Sequence, residues 1–297
     1  MEYTSGKMDM GMQNKPEGTL YVVSTPIGNL EDITLRALRI LKEVDLIAAE
    51  DTRRTRQLLT HFGIQKPLIS YHEHNEKMRV DTLLEKLREG KNVALVTDAG
   101  TPGISDPGEP LIRRAIREQI TLVPIPGPAA AMAALSVSGL PTDRFLFYGF
   151  LPAKPSARKK SLEGLRKRPE TLVFYESPRR LPALLKEARE ILGSRQVAVA
   201  REITKVFEET WRGSLDEVLE KIGKEEVRGE VTVVMAGNTD EEAIDSQTIR
   251  ETLQEWQKKT GVSRKEAVER VAEELRVAKR EVYREALKMK EGMEKEE

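Results

Sequence analysis

The sequence predicts an α/β protein made of two α/β domains in succession and a charged helical tail. Three observations predict it. Through residue 127, short apolar runs alternate with stretches of helical periodicity, the pattern of a mostly parallel sheet covered on both faces. Beyond 127, strand-like runs neighbour one another more often, as in a mixed sheet. Beyond 239 the chain turns helical and strongly charged. The expected divisions are a mobile leader over 1–17, domains over 18–127 and 128–239, and the tail over 240–297.

The leader is polar, contains Gly6, Gly11 and Pro16, and lacks the apolar core of a secretion signal. Residues 20–24 are an apolar run that stops at Thr25-Pro26-Ile27-Gly28-Asn29, a buried strand followed by a tight loop. Asp32 or Thr34 caps the next helix, where Leu35, Leu38 and Leu41 recur at helical spacing. A second buried strand over 46–49 ends at Glu50-Asp51, and the helix after it stops near Gly63. A short strand covers 68–71, an amphipathic helix 77–89 and a third buried strand 93–97. A Gly/Pro-rich loop over 98–108 leads to a helix over 111–118 and a strand over 121–125. Pro126-Gly127-Pro128 interrupts the alternation before an Ala-rich helix over 129–135. In the second half, strands are expected over 144–150, 171–175, 196–201, 207–212 and 230–236, with helices over 181–192 and 215–222. The tail divides into helices over 247–258, 263–275 and 278–290. Ser263 followed by Glu266 is a capping box, and the Gly-containing turn before it suggests a helix-turn-helix-like appendage.

Composition narrows the function classes. The formal net charge is zero, so any nucleic-acid footprint must come from local basic patches rather than from the whole molecule. The absence of cysteine excludes disulfides, cysteine zinc sites and a thiol nucleophile, and it suits a reducing cytoplasm. No run of about 18 apolar residues exists to span a membrane as a helix. There is no G-x-G-x-x-G after a strand and no Walker loop, which argues against dehydrogenases, NTPases and Rossmann-type methyltransferases.

Chemistry concentrates in loops that follow strands. Ligands bind α/β sheets at the strands' carboxyl ends, and Ser24-Thr25-Pro26-Ile27-Gly28-Asn29 lies at such an end. The loop DAGTPGISDPG, residues 98–108, packs glycine, proline and aspartate after a buried strand. Glycine lets a ligand approach the backbone closely and proline fixes the loop's shape. The small residues after Pro126-Gly127-Pro128 allow either ligand approach or tight packing.

The segments YVVSTPIGNLEDIT, AAEDTRRT, VTDAGTPGISDPG, PIPGPAA, FYGFLP, FYESPRR, REITKVFEE and GEVTVV resemble, in that order, the ribosomal RNA small subunit methyltransferase I family. That family is a branch of the tetrapyrrole (corrin/porphyrin) methylases, and the resemblance spans roughly residues 18–237. It implies a cytoplasmic homodimer, with S-adenosylmethionine folded into a cleft between the two α/β domains. It further implies methylation of the ribose 2'-oxygen of a cytidine in the decoding region of 16S ribosomal RNA, within the 30S subunit. In the wider class the cofactor is held largely by backbone groups. Carried over, this assigns to the cofactor Pro26, the loop residues Asp98, Ala99, Gly100, Thr101 and Ile104, and Ala129 and Ala130. Tyr175 and Gly229, Glu230 and Val231 join them from the second domain.

A ribose hydroxyl attacks a methyl group more readily when a base or a cation assists it. Candidates at the same sheet edge are Glu50, Asp51 and Arg53, and Lys205 in Glu-Ile-Thr-Lys; Tyr71, His72, Glu73, His74 and Asn75 follow the next strand. Glu50 and Asp51 serve equally well as helix caps, and Tyr71 as core. His72 and His74 lack an evident third partner, so no metal is expected. Arg54 and a basic run containing Lys154, Arg158, Lys159 and Lys160 are the candidate RNA contacts, with a solvated helix face as the competing reading. The tail carries eleven Lys/Arg against six Glu over 258–290 before its acidic end, and suits RNA or dimer contact. Two other readings remain open: methylation of a tetrapyrrole or another small molecule, and an RNA-binding assembly factor without turnover.

Overall fold

The computed structural model describes residues 17–224, 227, 229–238, 246–260, 262–275, 277 and 279–293. The expected leader up to residue 16, and the acidic end from 294, lie outside the described residues. The chain forms two compact units, Met1–Gly237 and Asn238–Glu297.

The first unit contains two sheets. The first has strands β1 (Leu20–Val23), β2 (Leu46–Ala49), β3 (Leu68–Ser70), β4 (Val93–Val96) and β5 (Leu122–Ile125), in the order β3-β2-β4-β1-β5. Every pair is parallel. Helices α1 (Leu35–Glu43), α2 (Thr52–His61), α3 (Glu76–Arg88) and α4 (Glu109–Arg117) make the crossovers. The unbroken burial of β4 follows from this sandwich. Ala94 and Val96 join one apolar cluster with Ile40, Leu41 and Leu59, while Val93 and Leu95 join another with Leu83, Leu87 and Leu111. Thr34, not Asp32, caps α1, its side chain accepting from the Ala37 N–H.

After β1 the chain runs toward β2, on one side; after β4 it runs toward β5, on the other. Right-handed crossovers in opposite directions lie on opposite faces, so a crevice opens between the carboxyl ends of β1 and β4.

Helix α5 (Ala130–Val137) leads to the second sheet. Its strands are β6 (Phe145–Phe150), β7 (Thr171–Glu176), β8 (Gln196–Arg201), β9 (Glu209–Ser214) and β10 (Val231–Met235), in the order β6-β7-β10-β8-β9. Only β6 and β7 are parallel, so the sheet is mixed as expected. One face packs α6 (Pro155–Leu165), α7 (Leu181–Leu192) and α8 (Leu215–Lys224) over Phe174, Val199 and Val233. The other packs Ala131, Ala134 and Leu135 of α5 over Val173, Ala198 and Val234.

Two features of this half differ from the sequence reading. Helix α6 enters it only as the competing reading of the basic run, although Pro155 at its start is a recognised beginning. Strand β9 begins two residues later than expected, because the chain turns back over 202–208. The Thr204 N–H there donates to the Glu208 carboxylate at 2.7 Å and the Glu208 N–H to the Lys205 carbonyl at 3.1 Å. Phe207, expected in a strand, is consequently 73% exposed.

The second unit is built from α9 (Ser246–Thr260), α10 (Arg264–Glu274) and α11 (Lys279–Met293) around Leu253, Val271 and Val282. The Ser263 side chain caps α10 by accepting from the Glu266 N–H. Glu285, 1% exposed, is held by Arg250 at 2.8 Å and Lys288 at 2.7 Å. The bond from Lys288 outweighs the cost of burial and keeps this carboxyl low, at about 2.

Candidate functional site

The loops after β1 and β4 meet over the crevice. Thr25 and Gly100 exchange backbone hydrogen bonds at 2.9 and 3.1 Å. The Ser24 and Thr101 hydroxyls lie 2.8 Å apart, and the Thr25 hydroxyl donates to the Thr97 carbonyl at 2.9 Å. Gly100 has φ +79°, a conformation other residues rarely adopt, and a Cβ built there would meet nothing nearer than Ile27 at 3.9 Å. Its bare backbone therefore looks into open space.

That space is a cavity of about 430 Å³ between the two sheets. On the first side it is lined by Ile27, by Ala99, Gly100, Thr101 and Ile104, and by Ser105 and Asp106. Ala129 and Ala130 line it where the chain enters α5. The opposite wall follows from strand direction. Strands β7 and β8 both run antiparallel to β10, with Val231 opposite Glu176 on one side and Arg201 on the other. Two strand ends and one strand beginning thus share an edge, which brings Tyr175, Glu202, Lys205, Gly229, Glu230 and Val231 to the cavity.

Most of the expected cofactor residues therefore line one cavity. Pro26 and Asp98 instead line a neighbouring cavity of about 320 Å³, with Arg54, Gln57 and His61 from one face of α2.

The second wall is held by ion pairs. The Lys205 ammonium sits 2.9 Å from Glu202 and 3.1 Å from Glu230. Burial works against its charge, but the two carboxylates prevail and hold the ammonium above its ordinary pKa. Lys205 is thus a fixed cation rather than a base. Glu202 also accepts from the Glu230 N–H at 3.2 Å, and a Cβ on Gly229 would fall 2.0 Å from its carboxylate. The Tyr175 hydroxyl accepts from the Ala131 N–H at 3.2 Å, and burial raises its pKa. Glu202 and Thr204 carry positive φ angles of 50° and 67°, as does Ser105 at 64°, so backbone strain gathers at the cavity's rim. The Asn29 N–H donates to the Thr204 hydroxyl at 3.0 Å, joining the two halves.

Glu50, Asp51 and Arg53 do not line this cavity. The Glu50 carboxylate accepts from the Asp98 N–H, and Asp98 in turn accepts from the Asp51 N–H, both at 3.1 Å. Asp51 caps α2 through the Arg53 N–H and pairs with the Arg53 side chain at 2.8 Å. The Arg53 bonds hold this carboxyl well below the ordinary carboxylate range, which makes it a poor base. Arg54, 70% exposed along its side chain, reaches Asp98 at 3.1 Å. Tyr71 is fully buried in the core. His72 stacks edge-on with His74, and no His/Cys/Asp/Glu group suited to a metal is found among the described residues.

One RNA candidate is corrected. Arg158 is 3% exposed, and its guanidinium makes paired bonds of 2.6 and 2.8 Å to Glu187. It donates also to the Ala153 carbonyl at 3.1 Å, so it faces the core and cannot meet a phosphate. Lys154, Lys159 and Lys160 are exposed, with Lys159 3.1 Å from Glu190.

Sequence reasoning missed Ser105, Asp106, Glu176 and Glu202 as cavity residues. All four stand inside segments that carried the family resemblance, which was the available signal.

Comparison with known proteins bears on the whole chain. The family model of the tetrapyrrole (corrin/porphyrin) methylases matches residues 19–219. A protein of Halalkalibacterium halodurans named ribosomal RNA small subunit methyltransferase I is 46% identical over 276 residues, covering 91% of this chain and 95% of its own. Its namesake in Bacillus subtilis is 45% identical, over 94% of this chain and 95% of its own. Among solved structures, diphthine synthase superposes with a TM-score of 0.57 at 16% identity, over 74% of this chain and 90% of its own. Uroporphyrin-III C-methyltransferase from Thermus thermophilus, complexed with S-adenosylhomocysteine, does so at 0.53 and 23%, over 74% and 97%. Both share the fold. The chain belongs to the tetrapyrrole (corrin/porphyrin) methylases and, within them, to the ribosomal RNA small subunit methyltransferase I family.

Proposed function

We propose that the protein is an S-adenosylmethionine-dependent methyltransferase that modifies the ribose 2'-hydroxyl of a cytidine in the decoding region of 16S ribosomal RNA. The observation that carries this reading is convergence. Segments far apart in sequence, each part of the family resemblance, supply residues to one cavity: Ile27, Gly100, Ala130, Tyr175, Glu202 and Glu230. The names of relatives 45–46% identical over more than nine tenths of the chain support the RNA substrate.

The cavity fits the cofactor. Its volume of about 430 Å³ lies within the range of ligand pockets, and much of its first wall is main chain and small apolar side chains. Ala99, Gly100, Thr101 and Ile104 hold the cofactor from that wall, with Ala129, Ala130, Tyr175 and Gly229-Glu230-Val231 opposite; Pro26 and Asp98 brace the loop from behind. When bound, it supplies a methyl group on a positively charged sulfur. Lys205, fixed between Glu202 and Glu230, shapes the second wall. Exposed Lys154, Lys159 and Lys160, with Arg54, meet RNA phosphates. The working form is a cytoplasmic homodimer acting on the 30S subunit.

The test is transfer of tritiated methyl to 30S subunits from a strain without its own copy of this enzyme. Label at a single ribose, resistant to alkaline hydrolysis, is the expected result. No label despite cofactor binding overturns the RNA reading and favours a small-molecule acceptor.

A further inference from the structure

Every sequence-derived candidate for the base is otherwise engaged or out of place. Glu50 and Asp51 belong to the network that ties the loops after β2 and β4 together. Lys205 is locked as a cation, and Tyr71 is in the core. Asp106 differs. It lines the cavity, half-buried, and its carboxylate has no hydrogen bond or ion pair among the described residues. A carboxylate taken partly out of water without a partner is costly, and such groups persist where chemistry uses them. Its loop is built to present it. The Gly103 N–H donates to the Pro107 carbonyl at 3.1 Å, closing a turn around it, and Ser105 beside it holds φ at 64°.

We infer that Asp106 is the general base that takes the proton from the acceptor hydroxyl. The inference rests on the methyltransferase reading above. In the step, the hydroxyl oxygen forms a bond to the methyl carbon while the carbon–sulfur bond of the sulfonium donor breaks. The bonding pair stays on sulfur, which becomes a neutral thioether. The hydroxyl proton passes to the Asp106 carboxylate and then to solvent.

The surroundings suit a base that works near neutrality. Burial, then the charges of Glu50 after β2, Asp98 at the head of its own loop and Glu230 before β10, push the Asp106 carboxyl up to about 7. Tyr175 faces it from β7, and Lys205 stands beyond Glu230 with its charge already met. A raised carboxyl is protonated below its pKa, so the rate rises with pH through that value and levels above it. A bound sulfonium, being positive, pulls the proton off and lowers the limb measured at saturation.

Two measurements test Asp106→Asn. The first is single-turnover methyl transfer to 30S subunits between pH 5.5 and 9, beside wild type. The expected loss is roughly 100-fold or more, with an acidic limb present in wild type and absent in the variant. Equal rates, or an unchanged limb, overturn the assignment. The second needs no acceptor: calorimetry of S-adenosylmethionine and S-adenosylhomocysteine binding at pH 7 in buffers of different ionisation enthalpy. On binding, wild type should release more protons to the buffer with the positive ligand than with the neutral one, and the variant should release equally with both while binding within about threefold. Equal release in wild type shows that Asp106 does not face the sulfonium and overturns the assignment; a variant whose affinity falls as far as its rate overturns the base in favour of a cation-binding carboxylate. Wild type that releases protons but methylates no RNA would defeat the substrate reading alone.

Discussion

The two walls of the cavity are made differently. In the parallel sheet every carboxyl end points the same way, so the wall is loops, and the groups it offers are mostly main chain: Ala99, Gly100 and Thr101. In the mixed sheet β10 opposes its neighbours, so strand ends and a strand beginning share an edge, and the wall is side chains: Tyr175, Glu202, Lys205 and Glu230. Sheet direction thus decides whether a site speaks through backbone or through charge. The first kind is shaped by turns and the second is held by ion pairs.

Substitutions can break or sharpen this contrast. The largest effect is expected beneath the second wall, where Glu187→Ala strands the buried Arg158 guanidinium. Denaturant unfolding should show a drop in stability of about 3–5 kcal/mol, whereas Lys159→Ala, whose partner Glu190 is exposed, should stay within about 0.5 kcal/mol. On the first wall, Gly100→Val puts a branched side chain at φ +79° into the cavity. It should weaken S-adenosylmethionine binding in calorimetry by far more than the strain of about 1–2 kcal/mol alone, and undiminished affinity would remove the backbone from the ligand's path. Tyr175→Phe removes only the acceptor for the Ala131 N–H, at a cost near 1 kcal/mol in stability or affinity. The smallest expected change is from Lys160→Ala, which should lower the salt slope of RNA binding by about 0.7–0.9 for each phosphate the lysine neutralises. An unchanged slope would leave that helix face merely solvated.

The parallel half is more legible in the sequence than the mixed half, for the same reason. Buried parallel strands are continuous apolar runs, and the Gly/Pro loops after them announce themselves; β2 occupies the expected residues 46–49. In the mixed half, β9 starts later than its pattern suggests because Glu202 and Thr204 adopt positive φ, which their residue types do not advertise. Arg158 reads as a surface cation because a basic run has no periodicity that reveals its one inward position. Glu187, its partner, lies on another helix, and such pairs are invisible without the fold. Asp106 escapes notice in the sequence because a carboxylate's solitude is a property of space rather than of residue order.

The glycine before Asn29 carries one more consequence. A Cβ on Gly28 would lie 2.6 Å from the Lys205 side chain and 2.8 Å from the Thr204 hydroxyl, so the halves touch there through bare backbone. Any side chain at that point is a wedge. Contact this close leaves no free space between the halves at that point. The lysine that lines the cavity thus also fills the seam, so a single side chain belongs both to the wall and to the joint between the halves.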